Sequence, residues 1–289
     1  MNIVIAGGTG FIGKALSERL TRDGHTITLI SRTPKDGTIA WSDTVGLQTA
    51  VVNADAVVNL AGSNVVGQRW NEEFKKELWD SRTGPTKVLA SLKPRVLIQA
   101  SAVGFYGDRG DQEITERTPA ADDFFGRLCT AWEAAASDGP QRVCCMRIGQ
   151  VFGPDGSTLE AMINPPQIPF SPWKLGLGGP LGSGRQWVPW VHLDDIVGLF
   201  TTAIHDPRYT GPVNAVSPNP VRARELATAI GQVLKKPSFV AVPAFALKIL
   251  VGEFTKYLLA SQRVLPEKAL SLGYNFRYSA IDAALNDLL

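Results

Sequence analysis

The sequence is short of sulfur, of histidine and of net charge, and each shortage narrows the field. Among 289 residues there are three cysteines, Cys129, Cys144 and Cys145. The number is odd and two are adjacent in an apolar run, so no disulfide framework is expected. The three histidines, His25, His192 and His205, have no ligand spacing to one another or to a cysteine, and no metal site is expected. A formal net charge of +2 gives no reason to expect nucleic acid or an anionic membrane as a partner. No 18 consecutive residues are apolar, so no membrane-spanning helix is expected. The most apolar late stretch, residues 239–252, is interrupted by Pro243 and Lys248 and reads as core or as the wall of a substrate pocket.

What is present is ordinary for a globular chain, with 44% hydrophobic and 19% charged residues. The length suits one large α/β domain, or a core domain with a smaller lobe. A strand starting at residue 2 leaves no leader ahead of it. The expectation is a soluble intracellular protein, cytoplasmic by default, with a longer precursor and an organelle left open.

The first twenty residues carry the strongest signal. Ile3, Val4, Ile5 and Ala6 form a short β-branched apolar run, which predicts a buried parallel strand. Gly7-Gly8-Thr9-Gly10 breaks it, and from Phe11 the apolar residues Phe11, Ile12, Ala15, Leu16 and Leu20 recur at helical spacing. The glycines Gly7, Gly10 and Gly13 therefore sit between a strand and a helix. Gly7 permits the tight turn, Gly10 lets a pyrophosphate approach the backbone, and Gly13 lets the helix lie close to the sheet. The helix start offers free N–H groups and a positive dipole end to phosphates. The pattern predicts a dinucleotide site built from Gly7, Thr9, Gly10, Phe11, Ile12 and Gly13.

Residues 25–30 read as the second strand, ending in Ser31-Arg32. In dinucleotide folds this position faces the adenosine ribose, and an arginine there pairs with a 2′-phosphate. Ser31 and Arg32 therefore point to NADP over NAD, with a solvated surface arginine as the alternative; Asp36 lies too far past the strand to change this. Residues 56–60 form another buried strand, so Val58, Asn59, Leu60 and Ala61 are expected to border the cofactor. A long amphipathic helix follows over residues 71–91, carrying Glu77 and Arg82. Arg82 could hold a cofactor phosphate or ribose with Glu77 positioning it, or belong to a surface ion pair. Residues 95–100 and 142–148 read as strands and residues 122–136 as a helix. Arg147 ends its strand toward the pocket, to meet an anionic substrate or to cap the sheet edge. Residues 153–189 are dense in proline and glycine and open a second lobe. The expected division is a dinucleotide-binding core over residues 1–152 and a substrate lobe over 153–289, with 186–216 returning to the core sheet. Helices are expected over residues 222–233 and 244–259, and residues 186–191 read as one strand.

Gly7-x-x-Gly10-x-x-Gly13, Asn59-Leu60-Ala61-Gly62, Ser101 to Gly107 and Trp190 to Asp195 occur in order at separations that resemble the extended short-chain dehydrogenase/reductase family, in its epimerase-like branch. The runs GGPLGSGRQWVPWVHLDD and LGYNFRYSAIDAAL look like the atypical, cell-division-inhibitor-like "epimerase family protein" subgroup. The resemblance spans the whole chain. It implies an α/β fold, a doubly wound parallel Rossmann sheet with NADP (NADPH) at its carboxyl edge, and a small C-terminal lobe over the substrate. It also implies that the Asp194 position is a helix cap, and it allows a homodimer through the two long helices.

The resemblance has a gap where the chemistry should be. In the general family a Tyr-x-x-x-Lys pair moves the proton, the lysine lowering the phenol's pKa. Here the residues four places after the five tyrosines are Gly110, Val213, Ser261, Tyr278 and Asp282. With Glu133 as anchor on the helix, the family's tyrosine falls on Phe125 and its lysine on Cys129. Phenylalanine transfers no proton, and a thiol supplies no fixed positive charge. Ser101 and Tyr106, at a strand's carboxyl end, are the candidate catalytic residues, with Tyr106 as a mere packing ring the alternative. Three functions remain: an oxidoreductase or epimerase with a substitute acid, hydride transfer to an activated acceptor that needs little acid catalysis, or a non-catalytic NADP(H) sensor. The substrate, an unknown small carbonyl or alcohol, has no readable code.

Overall fold

The computed structural model describes residues 1–33, 37–65, 70–154, 157–165 and 169–289; Asp36 lies outside them. The elements of the first half are β1 (Asn2–Ala6), α1 (Phe11–Arg22), β2 (Thr26–Ser31), β3 (Thr38–Ala40), α2 (Thr44–Val52), β4 (Ala56–Asn59), α3 (Glu72–Ser91), β5 (Val96–Ala102), β6 (Glu113–Ile114) and α4 (Phe124–Ala136). The second half contains β7 (Arg142–Ile148), β8 (Gln150–Phe152), α5 (Thr158–Ile163), β9 (Trp187–Val188), β10 (Trp190–His192), α6 (Leu193–His205), β11 (Gly211–Ala215), β12 (Val221–Arg222), α7 (Ala223–Leu234), α8 (Ala244–Val251), α9 (Thr255–Leu258), β13 (Arg263–Val264), α10 (Glu267–Ser271) and α11 (Ile281–Leu288).

Among the described residues, seven strands form one sheet in the order β11-β7-β5-β4-β1-β2-β3. Every neighbouring pair is parallel. The chain runs outward from β1 to β3, then crosses back to β4 and on to β11, so the winding reverses between β1 and β4. This is the doubly wound Rossmann arrangement. Alternation along β1 shows why the strand is apolar throughout. Ile3 and Ile5 pack with Leu16, Leu20, Ile196 and Phe200 on one face. Val4 and Ala6 pack with Leu47, Val51 and Leu89 on the other.

The second lobe has its own core, in which Phe152, Trp173 and Trp190 meet Leu226 and Ile230 of α7 and Leu285 of α11. Residues 193–215 belong to the main sheet: α6 packs on α1 and β11 pairs with β7. Two expected elements are divided. Pro189, which has no N–H, separates β9 from β10; β9 pairs antiparallel with β12 and β10 parallel with β8. Gly252, at φ 61°, ends α8 before a short 3-10 turn and α9. The junction before α6 is capped by His192, whose Nδ1 accepts from the Asp194 N–H at 3.1 Å, not by Asp194. Asp194 instead pairs with Arg277 at 2.7 Å. The neighbouring buried Asp195 accepts the backbone N–H groups of Arg277 and Tyr278, tying the C-terminal segment to the core.

Candidate active site: a nucleotide edge and a sealed polar network

The loops after β1 and β4 meet at the point where the winding reverses. Gly7 has φ 78°, and a Cβ on it would stand 2.7 Å from the Leu60 carbonyl. A Cβ on Gly13 would stand 2.2 Å from the Gly7 oxygen and 2.7 Å from Gly8 Cα. Both positions admit only glycine: the turn requires a positive φ, and α1 lies against its own approach loop. Gly10 is the helix N-cap but offers no side-chain cap. The first N–H to bond back is that of Lys14, to Gly10 O at 2.8 Å. The N–H groups of Phe11, Ile12 and Gly13 therefore have no helical acceptor, beside exposed Thr9 and Gly10. The side chains of Phe11 and Ile12 turn inward onto the core, so what these residues offer a ligand is backbone. The result is a backbone cradle for an anion.

Ser31 closes β2 by exchanging hydrogen bonds with the Thr33 backbone at 3.2 Å. Arg32 is exposed and has no ion-pair partner among the described residues. Across the edge, Asn59 is completely buried and its side chain is fully engaged. Its Nδ2 donates to Thr86 Oγ1 and Gln99 Oε1, each at 2.9 Å, and its Oδ1 accepts from the Ala61 N–H at 3.1 Å. Asn59 thus shapes the Leu60–Ala61 turn. Val58 is enclosed in the sheet between β1 and β5, which corrects its expected place at the cofactor: its side chain is core.

Arg82 reaches over this turn. Its Nη2 donates to the Ser63 carbonyl at 3.0 Å and its Nη1 to the Leu78 carbonyl at 3.2 Å, while the guanidinium lies 5.3 Å from the Trp132 ring. Burial lowers its pKa, and among the described residues it meets no carboxylate. Glu77 is exposed one face away and makes no bond to it, so the expected Glu77–Arg82 pairing is not formed.

Past β5 the character changes. Ser101 Oγ donates to Glu133 Oε1 at 2.7 Å. Glu133 grips Arg147 through two bonds of 2.8 Å, to Nε and Nη2. Arg147 Nη1 donates to the Tyr106 hydroxyl at 2.9 Å, and that hydroxyl donates to Asn214 Oδ1 at 2.6 Å. The Arg147 guanidinium also lies 3.5 Å from the Phe105 ring centroid. Burial would lower the arginine's pKa, but its bonds to Glu133 and Tyr106 outweigh that and raise it. Tyr106 is 0% exposed, and burial pushes its phenol up to about 12 against the pull of Arg147. This corrects the expectation that Tyr106 could supply the proton: its hydroxyl is bonded on both sides inside the protein. It likewise removes Arg147 as an anion receptor. Asn214 lies 108 residues from Tyr106, and no local pattern announces the pairing.

The two positions of the missing pair are filled by apolar contacts. Cys129 is buried against Ser101 and Ala102, and burial, helped by Glu133, pushes its thiol up to about 12, so it is a neutral group. Phe125 packs over Gly104 and against Trp70 and Tyr257, with centroids at 5.3 and 4.6 Å. Tyr257, arriving from α9, is the phenol beside Phe125; burial raises its pKa. Its contact came from a lobe whose docking the sequence pattern did not disclose. Further out, Gln150, Met162, Trp173, Leu181, Val188 and Leu258 line a narrow, mostly apolar crevice with room for little more than a water molecule.

Comparison with known proteins agrees with this architecture. The profile of the NAD dependent epimerase/dehydratase family matches residues 3–216, and that of a domain of unknown function matches residues 242–288. Epimerase family protein SDR39U1 of Homo sapiens is 35% identical, over 100% of this chain and 100% of that protein. Its chloroplastic homolog in Arabidopsis thaliana is 37% identical, over 100% of this chain and 87% of that one. The crystal structure of human SDR39U1 (isoform 2) with NADPH superposes with a TM-score of 0.91 at 35% identity, covering 100% of this chain and 99% of the other. With its reversed winding, its glycine cradle and relatives matched end to end, this chain belongs to the NAD-dependent epimerase/dehydratase family of extended short-chain dehydrogenases/reductases.

Proposed function

We propose that this protein binds NADP(H) at the glycine edge and acts as an oxidoreductase on a small carbonyl or alcohol substrate, without a Tyr-x-x-x-Lys pair. One observation carries the cofactor reading: a helix start with no side-chain cap at Gly10, enclosed by Gly7 and Gly13 where a Cβ would collide. Pyrophosphate oxygens would accept the N–H groups of Phe11, Ile12 and Gly13, and the exposed Arg32 would take the 2′-phosphate. Leu60 and Ala61 would border the ribose through the backbone, and Arg82 would add positive charge beyond them. When bound, the nicotinamide gives or takes a hydride. The crystallised human relative with NADPH supports the same choice of cofactor.

Ser101 is assigned to substrate orientation. Its proton is held by Glu133, which leaves the oxygen's lone pairs to accept a bond. Neither Phe125 nor Cys129 can protonate a substrate oxygen, so the reading favours an acceptor that draws its proton from Tyr257 or from water. The same pair of residues also favours a second reading, a sensor that binds NADP(H) without turnover.

Calorimetric titration with NADPH and NADH tests the first part. A charge-assisted pair at Arg32 is worth roughly 1.5–3 kcal/mol, so NADPH should win by about ten- to a hundred-fold, and Arg32→Ala should erase the margin. Equal affinity for the two, or none, would sink the cofactor assignment. Incubation with a panel of carbonyl compounds, read as loss of NADPH absorbance, separates enzyme from sensor. We also propose a homodimer through α3 and α4, to be checked by light scattering; exposed Glu73, Lys76, Asp80 and Lys87 on α3 would make such a contact polar.

A further inference from the structure

The sequence places residues 239–252 in a core or pocket wall, and the structure does not. Phe239 and Ile249 are 81% exposed and Phe245 is 70% exposed, with Val240 and Leu250 also open. Of α8, only Leu247 is buried. Phe245 and Ile249, four residues apart, share one side of the helix with Lys248 beside them. Residues 239–242 are tied to the loop before β9, where the Val240 N–H bonds the Gly178 carbonyl at 3.1 Å and that of Val242 the Pro180 carbonyl at 3.0 Å. Exposed Leu175 and Leu177 lie in the chain just before this tie, and exposed Phe239 just before Val240. Gly176 lies against Pro237. The outcome is seven large apolar residues exposed on three adjoining segments, 175–177, 239–240 and α8, where a single exposed leucine would need no account.

The charge carried by these segments is one-sided. Residues 161–193 and 226–252 contain no aspartate or glutamate, but they contain Lys174, Arg185, Lys235, Lys236 and Lys248. The four lysines are exposed and have no ion-pair partner among the described residues. The whole-chain charge of +2 conceals this cluster because the rest of the chain is net acidic. A second copy of the chain fits poorly, since two-fold pairing of this patch would set lysines against lysines. The exposed positions of α8, Ala244, Phe245, Lys248, Ile249 and Leu250, cover well over half of the helix circumference. That breadth suits a helix sunk into an interface more than one laid along a flat protein face. Phenylalanine, isoleucine and leucine would enter the headgroup boundary while the lysine stems reach back to phosphates.

We propose that α8, with residues 174–177 and 235–240, docks this protein peripherally on an anionic phospholipid bilayer. The proposal is independent of the cofactor reading, because none of these residues contributes to the glycine edge.

The test is co-sedimentation of the full chain with vesicles of phosphatidylcholine alone and of phosphatidylcholine mixed with phosphatidylglycerol. Binding to the anionic vesicles should be at least about tenfold stronger than to the neutral ones, and should weaken with salt as the screening length shortens. Phe245→Asp with Ile249→Asp should return binding to background, with circular dichroism unchanged because both side chains are exposed. Lys235→Glu, Lys236→Glu and Lys248→Glu together should remove the preference for anionic lipid. The proposal is overturned if the wild-type chain stays in the supernatant, or if the aspartate variant still pellets. It is also overturned if light scattering shows a self-association that those aspartates abolish, which would make a second copy the occupant.

Discussion

Two edges of the same sheet end in opposite states. At β1 and β4, hydrogen-bonding groups are left open: among the described residues, the N–H groups at the start of α1 have no helical acceptor and Arg32 has no ion-pair partner. At β5 and β7, every strong polar group is already paired, from Ser101 through Glu133, Arg147 and Tyr106 to Asn214. The first edge is arranged to receive something, and the second is arranged to stay shut. At this second edge Glu133, Arg147, Tyr106 and Asn214 serve the scaffold, Phe125 and Cys129 complete the closure, and only the lone pairs of Ser101 are left to a substrate. The comparison predicts that mutations at the two edges will divide, with stability affected at one and ligand affinity at the other.

The largest effect is expected at Glu133. Glu133→Ala leaves Arg147, 4% exposed, without its carboxylate. Removing one member of a buried ion pair costs about 3–5 kcal/mol, which urea unfolding would register directly. A loss under about 1 kcal/mol would mean that water already reaches the pair, as for an exposed pair, and the contrast between the edges would dissolve.

Next comes Gly13→Ala. The new methyl would have to displace the Gly7 carbonyl, which lies 2.2 Å from its place. Overpacking of this kind costs about 1–3 kcal/mol, and the displaced turn should weaken NADPH binding by tenfold or more, equivalent to roughly 1.4 kcal/mol. Undiminished NADPH affinity in a folded variant would show that the glycine turn does not hold the cofactor.

Tyr106→Phe sharpens the other side. It deletes a hydroxyl that joins Arg147 to Asn214 and leaves both with an unmet bond, at a cost of about 1–3 kcal/mol. NADPH binding and any turnover, measured well below the melting temperature, should persist. Selective loss of turnover with unchanged stability would restore Tyr106 as the proton donor.

The two edges also differ in how legible they were. The nucleotide edge is a local matter: a strand, three glycines and a helix lie within twenty residues, and each glycine has a steric reason that sequence spacing exposes. Its long-range contents were less clear, because Asn59 looked like a cofactor contact and is instead satisfied by Thr86 and Gln99. The sealed edge is assembled from residues 101, 106, 133, 147 and 214, and no periodicity links them. Ser101, Tyr106 and Arg147 were each visible at strand ends, but what they bond is decided by tertiary packing. The apolar run at residues 239–252 misled in the other direction, since hydrophobicity predicts burial only where something is present to cover it.

The smallest effect concerns pH, and it lies outside both edges. His192 is buried at the start of α6, and its ring stacks 3.8 Å from that of Tyr278. Burial lowers its pKa from 6.5, although Asp194, Asp287 and Asp195 oppose the shift. A base with a depressed folded pKa binds its proton more readily when unfolded. Its contribution to stability is therefore complete above pH 6.5 and declines as pH falls below that value. His25 shifts in the same direction, so the wild-type profile alone cannot apportion the effect. His192→Asn keeps an acceptor for the Asp194 N–H and removes the titration. Unfolding free energies of wild type and variant, measured at about pH 7.5 and about pH 5.5 on either side of histidine's usual pKa, should converge at the lower value. If the difference between the two proteins is the same at both pH values, His192 is not held neutral by its surroundings, and the tie between α6 and the C-terminal segment rests on Asp194 and Asp195.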